Sequence, residues 1–324
     1  MFTTPFFCAK ELYLGMNKIS VKHLSQLNRL DILAKKIVEG FISGMHKSPF
    51  HGFSVEFDEH KMYNNGESIK NVDWKLFAKT DRMYVKKYEA ETNLRCHVII
   101  DASSSMNYPL IEKPSLESLN KLSFSCYATA ALMDILKRQR DAVGLSIYSD
   151  NIEFQTPEKI NERHHHMLLA ALERQIFSTV DRSKKTDTYK VLHQIAEKLH
   201  KRSLIFLFSD MFQVGVDQQE LFEALRHLKY NKHELVLFHT YDKKLELDLD
   251  FGDKPKKMVD VETGESINVY SNLVREEYHK SVSDFFKDLK MKCVQYGISY
   301  VPVDINNGFE SVLTSYLISR KKNL

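Results

Sequence analysis

Glycine and proline are scarce in this chain, 11 and 7 among 324 residues. That scarcity excludes collagen-like segments, long flexible linkers and extended disorder. Cysteine is also sparse: Cys8, Cys96, Cys126 and Cys293 stand apart, with no two at metal-clip spacing. Zinc knuckles and redox pairs are therefore unsupported, and the isolated thiols read as small core residues of a reducing compartment. No long apolar run occurs, so no membrane-spanning helix is expected. Neither sign of charge dominates: 46 basic against 43 acidic residues leave a net charge of +3. A balance so close to zero gives no electrostatic reason to expect nucleic acid or an anionic membrane as the main partner. The opening MFTTPFFCAKELYLGMN lacks both a charged leader region and a continuous apolar stretch, so it reads poorly as a signal peptide. Residues 1–19 read as disordered or as a mis-assigned start, with Met16 an alternative initiator, and the expected compartment is the cytoplasm.

What is present is a globular composition, 43% apolar and 27% charged, in a chain long enough to bury a sizeable core. Residues 20–94 form an N-terminal extension. In its first part Leu24, Leu27, Leu30, Leu33, Ile37 and Phe41 fall at helical spacing over residues 20–43, with Ser20 as N-cap and Gly44 as stop. Residues 44–90 read as strands and loops: Phe53, Val55 and Phe57 alternate, and Asn64-Asn65-Gly66 marks a turn. From residue 95 onward, short apolar runs alternate with amphipathic stretches. Strands are expected at 95–101, 143–149, 151–155 (at an edge), 203–210, 234–241 and 298–303. Helices are expected at 116–140, 164–177, 187–200, 217–230, 272–296 and 307–319. This alternation predicts an α/β fold, a doubly wound mostly parallel sheet covered on both faces, over residues 95–324. Residues 243–271 interrupt it as a β-ribbon insertion turning at Glu262-Thr263-Gly264-Glu265.

The residues that carry chemistry lie at the ends of these elements. Asp101, Ser103 and Ser105 form D-x-S-x-S directly after the first buried strand, where such sheets open their ligand crevice. Thr186 lies at the start of a helix, and Asp210 ends another buried strand. The set resembles the metal-ion-dependent adhesion site of von Willebrand factor A domains, with all five positions in order. The resemblance implies a Rossmann-type fold holding Mg²⁺, or Mn²⁺, through these five residues. Ser103 and Ser105 would ligate directly, Asp101 through water, and Thr186 and Asp210 with a directness that changes with conformation. Mg²⁺ wants six hard oxygens and keeps some waters. An ion with few anionic ligands stays electron-poor and favours an incoming carboxylate, so a partner's Asp or Glu can complete its shell.

A second resemblance covers roughly residues 20–320. Ser48, Gly52, Glu56 and Phe57, then Tyr63, Gly66 and Glu67, then Asp73, Trp74, Ala78, Lys79 and Thr80 follow a set of motifs. They resemble the signature of the bacterial domain-of-unknown-function family 58. RQRDAVGLSIYS, DVETGE and the C-terminal SYLISR also fit. Lys61 and Lys70 stand where the family usually has Arg, so an Arg-type bidentate contact is lost there. Lys184-Lys185 replace the glycines usual before the Thr. Many relatives carry N-terminal membrane spans, and this chain looks like the short soluble version. The family resemblance implies a partner of the MoxR AAA+ ATPase type, or its client, with the chain as adaptor or co-chaperone.

Other features are discounted. His164-His165-His166 point in different directions from one helix start and read as a solvated end. Trp74, the single tryptophan, reads as a packing anchor. No Walker cradle, dinucleotide fingerprint or nucleophile elbow occurs. The expectation is a binding module rather than an enzyme. The rivals are a metal-dependent phosphoester hydrolase and a metal-free scaffold in which the motif only caps a helix.

Overall fold

The computed structural model describes residues 21–45, 60–62, 74–86, 94–111, 113–177, 188–211, 218–249, 256–259, 266–269 and 271–323. The apolar run after residue 94 extends as strand β3 (Arg95–Asp101), following the short strands β1 (His60–Met62) and β2 (Tyr84–Lys86). Successive side chains of a strand point to opposite faces. Cys96, Val98 and Ile100 accordingly enter one apolar core and Ile99 another. The same division recurs on β6 (Leu204–Ser209) and β7 (Glu234–Tyr241), which is why residues 204–208 and 235–238 read as unbroken apolar runs.

Strands β4 (Ala142–Tyr148), β5 (Ile152–Lys159) and β10 (Ser299–Asp304) complete a six-stranded sheet in the order β10-β7-β6-β3-β4-β5. All neighbours are parallel except β5, which runs antiparallel to β4 at the edge. The first core is covered by α1 (Val21–Met45), α3 (Lys121–Arg138), α4 (Glu162–Ile176) and α8 (Glu310–Asn323). The second is covered by α5 (Thr188–Lys198), α6 (Gln218–Lys229) and α7 (Ser271–Gln295). From β3 the chain builds outward through β4 to β5, then crosses to β6 on the other side of β3 and continues through β7 to β10. The winding reverses between β3 and β6. In open α/β sheets the crevice beyond the carboxyl ends of two such strands is where ligands bind.

Most expected elements lie within a few residues of their places, and three expectations are corrected. The helix expected from residue 116 starts at Lys121, because Asn120 forms a capping box: its side chain accepts from Ser123 N at 2.7 Å, and its own N–H donates to Ser123 Oγ at 3.0 Å. Residues 44–90 are not all strand and loop: β1 and β2 pair antiparallel, but α2 (Trp74–Thr80) is helical, a stretch without Gly or Pro. The insertion begins not as ribbon but as a π-helical turn at Lys243–Leu247. The ribbon follows, with β8 (Lys256–Val259) antiparallel to β9 (Ser266–Val269). Its turn, residues 1–19, and the alternating Phe53, Val55 and Phe57 lie outside the described residues.

Two discounted features also differ from expectation. His164 and His165 are buried rather than solvated: His164 Nε2 donates to Val143 O at 3.0 Å, and burial lowers the His165 pKa to about 4. Trp74 is not a packing anchor, being 54% exposed with an edge contact to Phe77. Cys96, Cys126 and Cys293 are buried free thiols, as expected of small core residues.

Candidate functional site

Asp101 ends β3, and the chain then turns at once into a single 3₁₀ turn, Ser104–Asn107. The turn folds Ser103 back onto the strand end. Ser103 N–H donates to Asp101 Oδ1 at 2.9 Å, and the hydroxyls of Ser103 and Ser105 stand 3.1 Å apart. Asp210 follows β6, the strand paired with β3 across the switch point. Its neighbour Ser209 donates Oγ–H to Asp101 Oδ2 at 2.7 Å and accepts from Met211 N at 3.0 Å, tying the two strand ends together. Asp101, Ser103, Ser105 and Asp210 are thus brought into one crevice. Thr186 lies outside the described residues.

The electrostatics of this crevice are strained. Burial, and then the nearby charge of Asp210, push the Asp101 pKa up to about 6 against the bonds from Ser209 and Ser103. Burial, and then the charge of Asp101, also hold the buried Tyr148 hydroxyl far up. Below the crevice, His239 donates Nε2–H to Asp210 O at 2.9 Å and takes the Tyr300 hydroxyl on Nδ1 at 2.8 Å. That pairing makes it a neutral imidazole, in line with burial lowering its pKa to about 4.

Two residues of the site were not foreseen. Lys121, the first residue of α3, places Nζ 2.8 Å from Asp210 Oδ2 and 2.5 Å from Glu246 Oε1. Its side chain is 3% exposed, those of Asp210 and Glu246 5% and 24%. Burial works against the ammonium, but the charges of Asp210 and Glu246 outweigh it, so Lys121 stays protonated. Glu246 belongs to the π-helical turn, where its Oε2 also accepts from Asp242 N at 2.8 Å. One signal of Lys121 was available in the sequence: a lysine in the first turn of a helix opposes the helix dipole and so calls for a carboxylate partner.

Among the described residues no three His, Cys, Asp or Glu side chains gather in metal-ligand geometry. A cation here relies on hydroxyls as well as carboxylates, which suits a hard ion such as Mg²⁺ and not a soft one. Charge favours the same fit. Asp101, Asp210 and Glu246 carry three formal negative charges against the one positive charge of Lys121, an excess that one divalent ion cancels.

The class defined so far is an α/β protein with a polar crevice at the switch point of a six-stranded, mostly parallel sheet. A family model described as protein of unknown function DUF58 matches residues 59–285, and the chain belongs to that family. It is 21% identical over 151 residues to the uncharacterized proteins Mb1516 of Mycobacterium bovis and Rv1480 of Mycobacterium tuberculosis. The match covers 47% of this chain, and the chain spans 46% of the length of these curated relatives. Among solved structures, BatB from Bacteroides thetaiotaomicron is similar at 14% identity and a TM-score of 0.43, over 71% of this chain and all of that one. An aerotolerance-related membrane protein from Bacteroides fragilis is similar at 13% identity and a TM-score of 0.40, over 71% of this chain and 98% of that one.

The expectation of a cytoplasmic protein is withdrawn. Similar solved structures include one named as a membrane protein. The feature behind the expectation also does not fix a compartment: among the described residues no helix is long and apolar enough to cross a membrane, and that says nothing of where the chain resides.

Proposed function

We propose that this chain is a von Willebrand factor A-like binding module that recruits a protein partner through a divalent cation, Mg²⁺ or Mn²⁺. The single observation that carries this reading is position: Asp101 ends β3 with its two serines just beyond it, and Asp210 directly follows β6, the two strands that flank the switch point. Asp101, Ser103, Ser105 and Asp210, with Thr186, would hold the ion. The bound ion supplies a Lewis-acidic position open to a carboxylate. Around it this chain's residues orient and exclude: the Ser103 amide and Ser209 hydroxyl fix the Asp101 carboxylate, and His239 fixes the Asp210 backbone. This is a device for binding rather than turnover. The partner it fits presents an Asp or Glu, and family membership makes a MoxR-type AAA+ ATPase the first candidate, with the chain as adaptor or co-chaperone.

The test is affinity for a purified MoxR-type ATPase, measured by biolayer interferometry. A desolvated central contact of this kind is worth roughly 2 kcal/mol, about thirtyfold in affinity. EDTA, or Ser103→Ala with Ser105→Ala, should weaken the complex by that factor while circular dichroism stays native. Equal affinity with and without EDTA removes the ion from the interface.

A further inference from the structure

The ammonium of Lys121 stands on one of the carboxylates that the proposed ion needs. We propose that Lys121 is a built-in competitor of the divalent cation, and that Glu246 is the acceptor to which it is handed when the ion binds. This rests on the cation reading above and adds to it a positioning pair that the adhesion-site motif does not contain.

Three observations support the hand-over. First, Lys121 already touches both carboxylates, at 2.8 Å from Asp210 Oδ2 and 2.5 Å from Glu246 Oε1. Leaving Asp210 therefore breaks one ion pair and keeps the other, so no bare ammonium is stranded in a buried place, which would be costly. Second, the charges partition evenly. An ion with Asp101 and Asp210 is formally neutral, and so is Lys121 with Glu246. Before the ion binds, the four side chains together carry two charges of excess negative sign, wherever the ammonium stands between Asp210 and Glu246. Third, Glu246 is held for the role. Its second oxygen accepts from Asp242 N at 2.8 Å, while Asp242 Oδ1 accepts from Leu245 N at 3.1 Å and from Asn306 Nδ2 at 3.0 Å. The turn carrying Glu246 is thus pinned to the segment after β10. A hard cation meets a site where Asp210 is already neutralised, and its affinity is set by the cost of moving one lysine.

The two residues then act with opposite signs, which a merely structural role would not produce. Lys121→Met removes the competitor, so Mg²⁺ should bind at least tenfold tighter than to wild type. Glu246→Gln removes the acceptor, so displacing Lys121 leaves it unpaired and Mg²⁺ should bind at least tenfold weaker. Calorimetric titration of Mg²⁺ and of Mn²⁺ into the full chain, at a temperature where each variant is folded, reads both. Lys121→Gln serves if the methionine variant fails to fold, with the same expected sign. Tighter binding to the Lys121 variant with weaker binding to Glu246→Gln supports the proposal. If wild type binds the ion but the two variants shift together or not at all, the hand-over is wrong and the cation reading stands. If no chain binds either ion, the cation reading fails and the hand-over falls with it.

Discussion

Glu173 shows what burial of one charged group does to this molecule. It lies on α4 under α1, 9% exposed, next to the backbone of Leu30. Burial raises its pKa from 4.5 to about 7, against a small opposing pull from Leu30. The native state therefore holds a proton that the unfolded chain releases. Stability from this group is complete below pH 4.5 and is lost as pH rises toward 7. Glu173→Gln should flatten that slope and leave the variant more stable than wild type above pH 7, by on the order of 2 kcal/mol. Urea midpoints at pH 5 and pH 8 check this, and an unchanged pH slope would show that another group carries it. Gly144 is set by a different residue-scale constraint. A Cβ there would meet His97 Nδ1 at 2.7 Å and Thr156 O at 3.0 Å. His97 needs that room, since Nδ1 pairs with Glu158 Oε1 at 2.6 Å and Nε2 with Ser146 Oγ at 2.8 Å, all within the sheet.

At the scale of elements, α1 is the piece whose docking is least obvious from a parallel-sheet pattern. Leu30, Ala34 and Val38 repeat every four residues and enter the same core as β3 and α3. Leu33, Ile37 and Phe41 pack at its margin. Leu30→Ala should cost roughly 2–5 kcal/mol if α1 is part of the cooperative unit. A loss under about 0.5 kcal/mol, as for an exposed site, would show that α1 undocks freely. This helix was legible because its spacing needs only neighbours in sequence, and β7 was legible because residues 235–238, LVLF, are apolar on both faces of the strand. The start of α3 was less legible. Leu116 and Leu119 continue the apolar spacing, and only the reciprocal bonds of Asn120 and Ser123 decide where the helix begins. The candidate site divided in the same way. Asp101 and Asp210 announce themselves by ending apolar runs, and Ser103 and Ser105 by spacing. Lys121 and Glu246 stand far apart in sequence within amphipathic patterns where charges usually face water, so only the fold could join them.

At the scale of the whole molecule, the two cores fix the sheet, and the sheet fixes where its charges collect. Parallel strands that all end on one side place Asp101 and Asp210 together beyond their carboxyl ends, and α3 and the turn after β7 deliver Lys121 and Glu246 to the same edge. The folded state then carries an excess of negative charge in a buried place, which the unfolded chain disperses into water. A divalent ion that binds only the folded state should relieve this and raise the melting temperature. At a hundred times its dissociation constant the ion contributes about 2.7 kcal/mol. In a chain larger than a typical small domain that corresponds to roughly 5 °C. Asp101→Asn separates this effect from general salt stabilisation. The amide oxygen can still accept from Ser103 N or the Ser209 hydroxyl, but the charge is gone and so is an oxygen suited to the ion or its water. In EDTA this variant should melt no lower than wild type, since the charge it removes is one that burial disfavours. With Mg²⁺ added, wild type should gain its few degrees while Asp101→Asn stays where it was. Scanning calorimetry of both proteins with and without Mg²⁺, at matched ionic strength, reads the difference. Equal shifts in the two would mean that the ion acts elsewhere on the surface and that the crevice between β3 and β6 holds its charges by Lys121 alone.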